Sequence, residues 1–360
     1  MYFKLGVKEL KSDFFNFEVE LNSFLRELRS NETRMIVIRG VRRTGKSSLL
    51  RVGLLESGFP HIILDARKFG IFSSDYIYDI IADSLSKLVE KYKSITRYLG
   101  KVRGLSLAGF EVSFTSRDKT TIIDSLEKIN EWSIREVGQV ILALDEAQDF
   151  LVFPKFDGLV AHIYDYLDGI KIVLAGSEVG VLDRLLGKRR VNAPLYGRPY
   201  FTIAMGRLPK NKAEEFLRKG FEQIGIKVLD HHITEAIDYF DGIIGWLTSY
   251  GYYTSKLGHE DAIVKTLEDG VRLVEEEIKT FLMQRLQARL RYLTILKITI
   301  SPSTWSEIKT EFSARIGRKI SDKQLSHYLA ELVNYGFIEK IDNKYRLADP
   351  MIRYAVSRIK

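Results

Sequence analysis

One segment, Gly40-Val41-Arg42-Arg43-Thr44-Gly45-Lys46-Ser47, constrains this chain more than any other. Two glycines with four residues between them, then lysine and a hydroxyl residue, form the phosphate-loop pattern. Glycine lets the backbone bend so that successive amide N–H groups face one phosphate, and the helix that follows adds its positive end. Such a loop needs a strand before it and a helix after it. Met35-Ile36-Val37-Ile38 is an apolar run of strand length closed by Gly40, and Ser48-Leu49-Leu50 opens a helix. In this arrangement Lys46 reaches the β- and γ-phosphates and Ser47 offers its hydroxyl to a magnesium ion. Gly40, Val41, Arg42, Arg43, Thr44, Gly45 and Ser48 complete the phosphate-binding set.

Further apolar runs follow at 61–65 (HIILD), 140–144 (VILAL) and 171–175 (KIVLA). They are continuous, not alternating, as in strands buried on both faces. The fold class is therefore α/β, a parallel sheet flanked by helices. A helical pattern through Tyr76, Ile80, Ile81, Leu85 and Leu88 separates the second run from the third. Residues 105–115 alternate around Gly109 and read as a two-stranded hairpin inserted in the sheet domain.

The run at 140–144 ends in Asp145-Glu146. Asp145 would hold magnesium directly or through water, and Glu146 would polarise the attacking water as general base. Alone, such a pair is equally a solvated strand end; downstream of a phosphate loop it points to nucleotide hydrolysis. The run at 171–175 leads into Gly176-Ser177-Glu178. Ser177 would either contact the γ-phosphate or the water, or cap the next helix. Arg198, in Ala193-Pro194-Leu195-Tyr196-Gly197-Arg198, is either a surface arginine or one that neutralises charge on the phosphoryl oxygens in the transition state.

From about Leu208 to Leu286 the pattern is helical throughout, which gives three or four helices. The last section changes again. A helical stretch covers 293–298, a second helix begins at Trp305, and Ser321 caps a third with Gln324 at the capping-box position. Gly336 stops that helix, and 337–341 and 344–347 form a hairpin around Asp342-Asn343. This is the layout of a winged helix-turn-helix.

Charge concentrates in the same section: of the net +8, residues 276–360 carry +7, with 16 Lys/Arg against 9 Asp/Glu. Arg315, Arg318, Lys319, Lys340, Lys344 and Arg346 suit phosphate contacts, while Gln324 and Asn334 suit base edges. Protein docking and a purely structural role are the other readings of such a module. The chain has no cysteine, which excludes disulfides, zinc-thiolate sites and a cysteine nucleophile. It has no apolar run of membrane-spanning length, so a cytoplasmic protein without membrane contact is expected.

In order, GVRRTGKS at 40–47, ILALDEAQDF at 141–150, VLAGSEVG at 173–180 and PLYGR at 194–198 resemble the archaeal ATPases of the STAND class, relatives of the AAA+ proteins within the P-loop NTPases. FNFEVEL at 15–21 resembles that family's opening motif, and the ending ADPMIRY at 348–354 is family-like as well. The resemblance implies ATP or ADP with Mg2+, Phe15 in the adenine site, and Arg198 as a γ-phosphate sensor acting in cis or on a neighbouring subunit. The chain departs from the family at two points. Phe17 stands where a basic residue is usual, and Gly242-Ile243-Ile244-Gly245-Trp246 keeps the glycines of a nucleotide-facing Gly-x-Pro turn without its proline.

The expected architecture is a P-loop ATPase domain (1–205), an all-α lid (206–285) and a winged helix domain (286–360). The expected function is Mg-dependent hydrolysis of ATP to ADP and phosphate, slow without a partner, used as a conformational switch. Duplex DNA or a protein is expected on the winged helix, and self-association is compatible with this reading. The alternative is a nucleotide-gated DNA-binding regulator with negligible turnover. A phosphotransferase would need a substrate-hydroxyl pocket, of which the sequence gives no sign.

Overall fold

The structure, a computed structural model, describes residues 1–69, 76–177, 179–187 and 192–359. In chain order the first strands are β1 (Met35–Arg39), β2 (His61–Asp65), β3 (Leu105–Ala108), β4 (Glu111–Phe114), β5 (Val140–Asp145), β6 (Ile170–Gly176) and β7 (Phe201–Ala204). Five of them form a parallel sheet in the order β2-β5-β6-β1-β7. Alternate residues of each strand enter two different apolar cores. Ile36, Ile38, Ile141 and Val173 face one, while Met35, Val37, Leu142 and Ile172 face the other. That double burial is why the runs are continuous. The register sets Asp65 beside Asp145 and Arg39 beside Gly176, so the strand ends line one edge, where sheets of this kind bind ligands.

Helices α1 (Glu18–Arg29), α2 (Lys46–Ser57), α3 (Tyr76–Lys91), α4 (Thr96–Leu99), α5 (Lys119–Trp132), α6 (Phe156–Tyr166) and α7 (Val179–Leu185) surround the sheet. Leu21, Phe24 and Leu28 of α1 pack with Leu49, Leu50 and Val52 of α2 on one face. Leu85, Trp132 and Ile163 cover the other. The β3–β4 hairpin is a separate antiparallel pair held to α3, where Ser86 Oγ accepts from the Val112 N–H at 2.9 Å.

A helical section follows: α8 (Lys210–Gln223), α9 (Asp230–Phe240), α10 (Ile244–Leu257) and the 25-residue α11 (His259–Met283). The chain closes with α12 (Arg289–Ile298), β8 (Ser303–Thr304), α13 (Trp305–Ile316), α14 (Asp322–Asn334), β9 (Ile338–Ile341), β10 (Lys344–Leu347) and α15 (Met351–Arg358). Strands β8, β10 and β9 form the antiparallel sheet of a winged helix. Thr304 and Glu307 make a reciprocal capping box on α13, and Ser321 Oγ caps α14 by accepting from the Gln324 N–H.

The winged helix is docked on both earlier sections. Its α15 packs against α11, and the end of α14 packs against α7. Arg207 pins the wing, donating to Glu339 at 2.9 Å and to the carbonyls of Leu347 at 3.3 Å and Ala348 at 2.8 Å. No helix among the described residues is long and apolar enough to cross a membrane.

Candidate nucleotide site

The phosphate loop leaves β1 under tight constraint. A Cβ on Gly40 would lie 2.0 Å from the Met205 carbonyl oxygen, so only glycine fits there. Gly45 takes φ +96° and turns the chain into α2. Lys46, at the head of α2, is buried, and its Nζ donates to the Val41 carbonyl at 2.6 Å. Thr44 Oγ1 donates to the same carbonyl at 2.9 Å. Burial lowers the Lys46 pKa to about 8.

Facing the loop are the ends of β2, β5 and β6. Ser47 Oγ donates to Asp145 Oδ1 at 3.1 Å, and Arg67 Nη2 donates to Asp145 Oδ2 at 2.6 Å. Asp145 is almost fully buried, and burial raises its pKa even beside Arg67. Glu146 follows in the left-handed region, with φ +51°, and lines the cleft with Lys46 and Ser47. Its Oε2 accepts from Gln148 Nε2 at 2.7 Å and from Ser177 Oγ at 2.8 Å. Burial opposes its ionisation, but Lys46 and the two hydrogen bonds outweigh that and hold its pKa below the ordinary value. Asp149, one turn on, is pushed up to about 6 by burial and by Glu146. Of the sequence-derived candidates the structure thus brings together Lys46, Ser47, Asp145, Glu146 and Ser177. Glu178 lies outside the described residues.

These groups form one end of a cleft of about 730 Å3. The other end is apolar: Leu5, Val7, Phe14, Phe15, Phe17, Phe216 and Ile244. Phe15 is wedged between Tyr2 and Phe216, with ring centroids 5.3 Å from each. Arg42, Arg43, Gly45 and Ser48 also line the cleft; Gly40, Val41 and Thr44 complete the loop without lining it. The irregular segment 5–8, which forms part of the cleft wall, escaped sequence reasoning because it has no periodicity and no motif. It is fixed by the Lys8 N–H, which donates to Ser48 Oγ at 3.0 Å. The turn that lacks proline still faces the loop, since the Gly245 N–H donates to the Arg43 carbonyl at 3.0 Å.

Arg43 does more than line the site. Its Nη2 meets Glu277 of α11 at 2.7 Å, its Nη1 meets Asp349 of the winged helix at 3.5 Å, and its guanidinium lies 4.4 Å from the Trp246 ring centroid. Arg42 Nη1 pairs with the same Glu277 at 2.9 Å.

Arg198 is not brought to the cleft. It precedes β7, whose start pairs with Ile36 of β1, and its Nε donates to Asp165 near the end of α6 at 2.8 Å. That is the edge at which β1 enters the sheet, opposite the edge from which the loop leaves.

Among the described residues no three His, Asp or Glu side chains are gathered for a metal. Magnesium in phosphate sites asks for less, taking one or two protein oxygens and completing its shell with phosphate and water. The paired hard oxygens of Ser47 and Asp145, 3.1 Å apart at the loop, fit that demand.

Residues 14–249 match the family described as an ATPase domain predominantly from Archaea, and residues 286–348 match the C-terminal winged helix-turn-helix domain of MCM proteins. No curated protein matches the chain. The Walker-type ATPase of Pyrococcus abyssi is similar at 28% identity, over 99% of this chain and 100% of its own, with a TM-score of 0.79. The ORC2 protein of Aeropyrum pernix, in its ADP form, has a similar fold at 14% identity, over 98% of this chain and 99% of its own, with a TM-score of 0.53. Phosphate loop, strand-end carboxylates and matched span agree: the chain belongs to the family of ATPase domains found predominantly in Archaea, and carries an MCM-like winged helix behind its P-loop domain.

Proposed function

We propose that the chain binds MgATP in this cleft, hydrolyses it to ADP and phosphate, and uses the change to reset the contacts of its winged helix. The observation that carries this reading is the cleft itself, with an aromatic end for a base and a phosphate loop that faces Glu146. Lys46 and the loop N–H groups hold the phosphates, Ser47 and Asp145 hold magnesium, and Phe15 borders the adenine. Magnesium supplies charge neutralisation between the phosphates. Glu146 accepts the proton of the attacking water, and Ser177 keeps that carboxylate aimed.

The switch follows from Arg43, which joins the loop to Glu277 and Asp349 at once. A change of charge in the loop alters what holds the winged helix in place. Slow turnover fits the hydrogen bonds that already engage Glu146. The working units are 1–205, 206–285 and 286–360, the STAND class rests on the order of the motifs, and Arg198 is assigned to a neighbouring subunit's nucleotide.

A second reading, a nucleotide-gated DNA-binding regulator, is favoured by the exposed start of α14 (Lys323, Gln324, His327) and the exposed wing lysines Lys340 and Lys344. ATP turnover with magnesium, alone and with duplex DNA, beside Lys46→Ala and Glu146→Gln, separates the two. Turnover lost in both variants, with nucleotide binding kept in Glu146→Gln, supports the ATPase. Tight binding without turnover under every condition supports the regulator. Absence of nucleotide binding overturns both.

A further inference from the structure

We infer that Arg67 is a phosphate-sensing cation of this site, held on Asp145 until a nucleoside triphosphate arrives and then transferred to the terminal phosphate. The inference rests on the reading of the cleft as a nucleotide site. Arg67 sits just past β2, whose last residue, Asp65, is level with Asp145 of β5. Its guanidinium forks onto Asp65, Nε to Oδ1 and Nη2 to Oδ2, both at 2.9 Å, while Nη2 also meets Asp145 Oδ2 at 2.6 Å.

Both oxygens of Asp145 are engaged. Oδ1 accepts from Ser47 and Oδ2 from Arg67. A divalent cation held by Ser47 and Asp145 would draw on the same carboxylate as the guanidinium and would weaken the hold of Asp145 on Arg67. Arg67 has room to leave: its side chain is 45% exposed, against 2% for Asp145. It does not leave far, because the fork to Asp65 persists and the Arg67 N–H donates to Asp65 Oδ1 at 3.0 Å. The freed donor edge faces the cleft wall shared by Lys46, Ser47, Glu146 and Asp149. A guanidinium matches phosphate oxygens in geometry and charge, and a γ-phosphate adds negative charge that a diphosphate lacks. Arg67 thereby supplies, within one chain, the cation that Arg198 is not placed to supply.

The test compares affinities of a non-hydrolysable ATP analogue and ADP, both with magnesium, by displacement of a fluorescent nucleotide. The wild-type chain is expected to prefer the triphosphate. Arg67→Gln should cut that preference about tenfold or more and leave ADP affinity within about threefold. Arg67→Lys, which keeps charge but not the fork, should fall between, and serves alone if Arg67→Gln fails to fold by thermal melting. An unchanged preference in the variants, or none in the wild type, overturns the role of Arg67. A wild-type chain that binds neither nucleotide, like Lys46→Ala, overturns instead the reading of the cleft.

Discussion

Asp349 of the winged helix stands 3.5 Å from Arg43 of the phosphate loop, and the Trp246 indole N–H donates to the same carboxylate at 3.0 Å. The Met351 N–H is a third donor, at 2.8 Å. One buried acceptor thus joins all three sections of the chain. Asp349→Ala takes this acceptor from the Trp246 and Met351 N–H groups, leaves Arg43 to Glu277 alone among carboxylates, and should destabilise the chain by about 2–4 kcal/mol in urea melts. Asp349→Asn keeps one acceptor oxygen and should cost less than half as much. In both variants the nucleotide-induced change in Trp246 fluorescence should shrink; an undiminished signal would remove the joint from the switch.

Lys46 links binding to pH. Burial places its pKa near 8, and only the ammonium binds phosphate. Nucleotide affinity should be level below about pH 7.5 and fall by about tenfold per pH unit above 8 as binding has to recover a proton. Calorimetry at pH 9 in two buffers of different ionisation heat should register uptake of most of a proton. Binding that releases no buffer heat difference would contradict the lowered pKa.

How much of this was legible beforehand depends on where each signal lies. Strands β1, β2, β5 and β6 show in the sequence because both faces of each are apolar. Strand β7 does not: Phe201-Thr202-Ile203-Ala204 is a short, half-exposed edge strand that, among the described residues, pairs with β1 alone. Lys46, Ser47, Asp145 and Glu146 announce themselves by local spacing. Arg67 and Asp349 do not, because what makes them matter is a neighbour brought in by the fold, 78 and 306 residues away along the chain. Arg198 shows the reverse, a motif with the right local sequence on the far edge of the sheet.

Ser177 tests how Glu146 is held. It donates to Glu146 Oε2 from its hydroxyl at 2.8 Å and from its N–H at 3.3 Å. Ser177→Ala removes the stronger bond to the charged form, so the Glu146 pKa should rise and the acid limb of the pH–rate profile should move to higher pH. Turnover at neutral pH should fall about tenfold, with nucleotide affinity unchanged. A lower affinity with an unmoved profile would make Ser177 a phosphate ligand instead.

Asp149 is a carboxylate whose native pKa, about 6, is raised above its ordinary 3.8 by burial and by Glu146. Between those two values the folded chain holds the proton that the unfolded chain has released, so stability falls as pH rises through this window and the penalty is complete above about pH 6. Asp149→Asn has no such penalty. It should be more stable than the wild type by about 1–2 kcal/mol at pH 8, with the advantage shrinking at pH 5. Equal gains at both pH values would assign the effect to packing.

Gly40 and Gly53 separate a backbone clash from a side-chain clash. A Cβ on Gly40 would meet the Met205 carbonyl oxygen at 2.0 Å, and the Met205 N–H is itself tied to the Arg39 carbonyl at 2.8 Å. Nothing there can rotate away, so Gly40→Ala has to move the loop off β1 or split β7 from it. A Cβ on Gly53, two turns along α2 from Lys46, would meet the buried Phe24 ring at 2.3 Å, a side chain and not the backbone. Gly40→Ala should therefore cost about 3 kcal/mol or more, and Gly53→Ala about 1–3 kcal/mol. Their binding should differ more than their stability. At a temperature where both variants are folded, Gly53→Ala should keep wild-type nucleotide affinity, whereas Gly40→Ala, with the Val41 carbonyl and Lys46 displaced together, should lose it. Equal affinity in the two would mean that the loop tolerates release from Met205, and that its phosphate-binding shape is set by Gly45 and α2 alone.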